Sequence, residues 1–156
     1  MTYFPSVPVK TKDPKLAMLR ISCSDNPLTT NSLCTFDLPT NFGFNNIPGT
    51  ALTYSGNTIT LKKGHWQLQG FVAIENNDDR DNNTHFQFKE SSFVGTRGCS
   101  EIDYSSSLDD CAYNTSIESG SVDINLGFPI VNHSGSGNLN IQNSYAHIII
   151  YYCPMD

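Results

Sequence analysis

A chain of 156 residues is the size of one domain and can bury a real core. Charged residues make up only 15% and hydrophobic residues 38%, with Asn, Ser, Thr and Gly filling much of the rest, which favours a β-protein with polar turns and excludes a helical bundle. A net charge of -6 excludes nucleic-acid packaging, which needs clustered Lys and Arg.

The amino end lacks a basic start followed by an apolar run, so no secretory leader is expected. No run of 18 apolar residues exists, so no membrane-spanning helix and no membrane insertion are expected. Five cysteines, Cys23, Cys34, Cys99, Cys111 and Cys153, form no CxxC. An odd count without such spacing points to buried thiols rather than a disulfide framework. Cys99 and Cys111, flanking one polar loop, are the pair most able to close.

Residues 1–15 carry Pro5, Pro8 and Pro14, which exclude a helix and favour an extended arm. Tyr3, Phe4, Val7 and Val9 give that arm an apolar side suited to docking on a neighbour. Residues 16–156 form the domain proper. Leu16 to Cys23 is the first core strand, with Ala17, Leu19, Ile21 and Cys23 on one side. Turn residues dominate 24–50.

The stretch Asn57 to Asn76 organises the rest. Ile59 and Leu61 alternate with threonines, and Lys62, Lys63 and Gly64 break the run as a tight turn. Trp66, Leu68, Gly70, Val72 and Ile74 then fall on one face, with Gln67, Gln69, Phe71, Ala73 and Glu75 on the other. The expectation is a central hairpin. A polar loop follows to Asn83, then a strand at His85 to Glu90 with Phe86 and Phe88 facing one way. Residues 91–118 read as a Ser-rich excursion with short strands. Val122, Ile124 and Leu126 alternate, and Gly127-Phe128-Pro129 is expected to bend the chain. Ser134 to Gly137 is a hairpin tip before Leu139 and Ile141.

The last strand, Ala146 to Tyr152, is apolar on both faces. Ile148, Ile150 and Tyr152 share one side, Ile149 and Tyr151 the other. A strand greasy on both sides is covered on both sides. Subunit contacts are therefore expected through Ile149, Tyr151 and the face of Phe86 and Phe88.

The series Thr58-Ile-Thr-Leu-x-x-Gly64-x-Trp66-x-Leu68, Phe86-x-Phe88, the alternating 122–126, a Gly-rich tip, Leu139-x-Ile141 and an apolar closing strand resembles the C1q/TNF-like jelly roll. The resemblance spans about residues 50–153. It implies an all-β single jelly-roll β-sandwich, an extended N-terminal arm, and a closing strand near a threefold axis. It departs from the pattern at Trp66, where Tyr is usual, and in the insert at 91–118. Many viral and phage structural proteins look like this: head fibres, capsid decoration proteins and fibre tips.

Candidate sites are few. Asn77, Asp79 and Asp81 have calcium-loop spacing, but Asn82 stands where Gly is needed and Phe88 where a bidentate Glu is needed. A solvated turn is the expectation, with no metal and no cofactor. His65, His85, His133 and His147 do not cluster in sequence, and no Ser or Cys sits beside His and a carboxylate in a recognisable motif. No enzyme is expected. Phe93, Tyr104 and Tyr113, in an Asn- and Ser-rich context, are the candidates for glycan binding. The reading is a virion structural protein, assembled in host cytoplasm: a homotrimer docked on capsid or tail proteins through its arm, with a host-glycan-binding knob as the alternative.

Overall fold

The computed structural model describes residues 13–23, 25, 27–39, 43–76, 82–90, 96–101, 106–133, 139–141 and 146–156. Ten strands occur among them: β1 (Lys15–Cys23), β2 (Ser32–Asp37), β3 (Phe44–Asn45), β4 (Leu52–Ser55), β5 (Thr58–Asn76), β6 (Asn82–Glu90), β7 (Thr96–Glu101), β8 (Ser106–His133), β9 (Leu139–Ile141) and β10 (His147–Cys153). All pairings are antiparallel. The strand order is β4-β5-β10-β1-β2-β8-β6-β7, and a further β5–β8 ladder closes the path on itself. This is an all-β jelly-roll sandwich. The docking-arm residues Tyr3, Phe4, Val7 and Val9 lie outside the described residues, as do Asn77, Asp79 and Asp81.

The period-two reading of the long strand holds for its inner face. Trp66, Leu68, Val72 and Ile74 are buried, and they meet Ala17, Leu19 and Ile21 of β1 and Ile148, Ile150 and Tyr152 of β10 in one core. Gly70 lies on the same face, where the room is tight. A β-carbon there would sit 3.0 Å from Leu126 Cδ2 and 3.2 Å from Cys111 Sγ.

Three expectations need correction. First, Lys62 to Gly64 is not a turn. β5 runs straight through it, and the irregularity is a bulge in the β5–β8 register, where Lys62 faces Ser121 but Gly64 faces Ile117. Gly64, at φ 152°, takes a backbone geometry that disfavours a side chain and ends in a bulge what looked like a reversal. The hairpin instead joins β4 to β5 through Gly56, at φ 56°. Second, the second half of the supposed excursion is the start of β8, whose residues from Ser106 to Ile117 pair with β5 from Glu75 back to Gly64. β8 runs on through Gly127-Phe128-Pro129 to His133, and Gly127 packs against β2, where a β-carbon would fall 2.4 Å from the Ser32 carbonyl oxygen.

Third, Phe86 and Phe88 do not form a subunit contact. They are 0% and 1% exposed within one copy. Phe86 packs on Phe128 with centroids 5.2 Å apart, and Phe88 on Tyr113 at 6.1 Å. Gln87, on the opposite side of β6, is also buried, so at that point the strand is covered on both faces by its own chain, while Lys89 on the same side is exposed.

Candidate assembly face

The neighbouring strands β1, β10, β5 and β8 share one register, and it aligns their outward side chains in rows. Leu16 faces Tyr151, which faces Gln67, which faces Asn114. The next row is Met18, Ile149, Gln69 and Ala112. The third is Arg20, His147, Phe71 and Asp110, extended on the β2 side by Asp37. Alternation sets this face: Met18, Arg20, Gln67, Ile149, Tyr151 and His147 each lie between two buried residues of their own strand and point away from them.

The β1–β10 part of the face is apolar, and exposed Phe44 of β3 extends it beside Met18, whereas the β5–β8 part is mostly polar. Leu16, Met18, Ile149, Tyr151, Phe71 and His147 are half-buried, while Arg20, Gln67, Asp110, Ala112 and Asn114 are exposed. Phe71 and His147 stack with centroids 4.9 Å apart and planes 20° apart. At the β2 edge, the Arg20 guanidinium donates to Asp37 through Nε at 3.0 Å and Nη2 at 2.5 Å. That fork raises the Arg20 pKa, first by the hydrogen bond and then by the carboxylate's charge. The pair is about half exposed, so it contributes little to stability and marks the polar border of the face.

The expected interface pair, Ile149 and Tyr151, lies at the middle of this face. Leu16, Met18 and Phe71 join it. Their signal was present in the sequence: β1 carries apolar residues on both faces, and Phe71 is an aromatic among glutamines. Both features have the same physical meaning as the double-sided β10.

A groove of about 440 Å³ runs along one end of the face, lined by Pro14, His65, Gln67, Asn114, Ser116 and Tyr151 among others. His65 Nδ1 and Ser116 Oγ lie 2.8 Å apart across the β5–β8 ladder. Among the described residues that line the groove there is no carboxylate beside this His–Ser pair. Among the described residues, no group of three His, Cys, Asp or Glu side chains is placed to hold a metal ion.

Of the three proposed glycan residues, Tyr113 lies among the described residues. Tyr113 is 3% exposed; its ring packs on Phe88 and its hydroxyl donates to Glu90. It is a core residue, because β8 turns it inward beside Cys111. Phe93 and Tyr104 lie outside the described residues.

No protein-family model matches the sequence, and no curated protein matches it. Solved structures do resemble the fold. Crystal structures of murine APRIL at pH 8.0 and pH 8.5 match with TM-scores of 0.53 and 0.54. In each case the identity is 12%, over 88% of this chain and 99% of that one. Rabbit GITRL also matches, at a TM-score of 0.45 and 13% identity, over 87% of this chain and 91% of that chain. At such identity the likeness concerns architecture alone, and that architecture is the C1q/TNF-like jelly roll.

Proposed function

We propose that this chain is the subunit of a homotrimeric virion structural protein, which seals three copies through the face of β1, β10, β5 and β8 and docks on the particle through residues 1–15. Its work is assembly, not catalysis. The observation that carries this reading is the half-buried apolar patch of Leu16, Met18, Ile149, Tyr151 and Phe71 on the outward face of a sheet whose inner side already fills the core. An aliphatic and aromatic patch next to amide and charged side chains is the make-up of a subunit contact. The resemblance to the C1q/TNF-like jelly roll implies a closing strand near a threefold axis, and the position of β10 within this face supports the reading. The particle as partner and the virion as location rest on that resemblance and on the proline-rich apolar arm.

Removing residues 1–12, which leaves β1 whole, tests docking. The shortened chain is expected to keep its oligomeric mass and to lose incorporation into particles. Incorporation that survives the removal contradicts the arm's role. The alternative, a glycan-binding knob, loses Tyr113 to the core; binding of the shortened trimer on a glycan array would favour it.

A further inference from the structure

Cys23 ends β1 and Cys34 lies in β2, and the two face one another in the ladder. Their place in the hydrogen-bond pattern follows from their neighbours. The Ile21 amide donates to Ala146, away from β2, and the Phe36 amide donates to Gly56, away from β1. Ile21 and Phe36 are therefore a non-hydrogen-bonded pair, and Cys23 and Cys34, two residues along each strand, are the next one. Such pairs bring Cα atoms to roughly 4.5 Å with both side chains on one face. A disulfide spans roughly 4.4–6.8 Å. Cys23 Sγ already points across the ladder, donating to the Leu33 carbonyl at 3.4 Å.

We propose that Cys23 and Cys34 are an oxidisable pair that closes into a cross-strand disulfide pinning β1 to β2. This inference is independent of the assembly reading, since both thiols face inward rather than onto the proposed contact. Cys23 is half-buried and reachable, whereas Cys34 is fully buried. With oxidised glutathione as oxidant, the Cys23 thiolate attacks one glutathione sulfur. The glutathione S–S bond breaks and one glutathione leaves as a thiolate that takes up a proton. Cys34, having given its proton to solvent, then attacks Cys23 Sγ and expels the second glutathione. Two protein thiols lose two electrons and one glutathione disulfide gains them. Burial raises both thiols above their ordinary value, so exchange with glutathione is slow at neutral pH and speeds up as pH rises.

Cleavage before aspartate provides the test, because it separates all five cysteines: Cys23 falls in 13–24, Cys34 in 25–36, Cys99 in 81–102, Cys111 in 110–122 and Cys153 in 123–155. The full-length folded chain is treated with oxidised glutathione, alkylated and digested without reduction. The expected product is peptide 13–24 joined to 25–36 and separated by reductant, with a raised unfolding midpoint for the oxidised protein. In Cys34→Ser the reaction is expected to stop at glutathione on Cys23. Peptide 13–24 carrying glutathione in the unaltered protein, 25–36 joined instead to 110–122, or no reaction at Cys23 would overturn the proposal.

Discussion

The rings of Trp66 and Tyr152 lie 4.4 Å apart between centroids, tilted by 34°, and Tyr152 Cε2 occupies the place where a β-carbon on Gly64 would sit, 2.2 Å away. The bulge at Gly64 thus lets the aromatic pair close that end of the core. Trp66 Nε1 donates back to the Lys62 carbonyl at 2.8 Å, and the Tyr152 hydroxyl donates to the Lys63 carbonyl at 3.4 Å, so the two rings also hold the bulge. Gly64→Ala meets both a strained φ and a filled space. It is expected to lower unfolding free energy by about 2–4 kcal/mol, read from the urea midpoint.

Trp66→Phe keeps a ring against Tyr152 but loses the indole donor and leaves a small void. A loss of about 1–3 kcal/mol is expected in the same measurement. A neutral result would mean that the Lys62 carbonyl finds water in place of the indole.

Phe88 and Tyr151 separate core from contact. Phe88→Ala empties a site that is 1% exposed and should cost about 3–5 kcal/mol of folding free energy. Tyr151→Glu places a charge on the outward face and should leave the subunit's circular dichroism unchanged while shifting its mass to the monomer. If Phe88→Ala instead dissociated a stable subunit, the inward assignment of β6 would be wrong.

Burial, then the nearby thiols of Cys23 and Cys111, holds Cys34 well above the ordinary thiol value of 9.0. The unfolded chain loses this proton first as pH rises, so the folded state binds more protons and stability falls with pH. The contribution is whole below about pH 9 and declines above it. Denaturation midpoints between pH 8 and roughly pH 10.5 should fall less steeply for Cys34→Ser than for the unaltered protein.

Much of the fold was legible because burial in a sandwich imposes period two. The inward sets of β1, β5 and β10 could be read directly from alternation. The bulge could not, because Lys62-Lys63-Gly64 satisfies the composition of a turn as well as that of a bulge, and only the register with β8 decides between them. Phe86 and Phe88 read as a subunit contact in the sequence because alternation tells which residues share a face but not which face is the core. Gln87 on their far side is buried without any hydrophobic signature, so its burial is not legible in the sequence. The rows of the candidate face join residues from four strands, and their register is a property of the sheet that no single segment encodes.

Mass in solution tests the assembly most directly. Native mass spectrometry of the intact chain should give a species of three 17.2-kDa subunits, and Ile149→Glu combined with Tyr151→Glu should give folded monomers. A monomer for the unaltered chain at micromolar concentration, or a trimer untouched by both charges, would contradict the account.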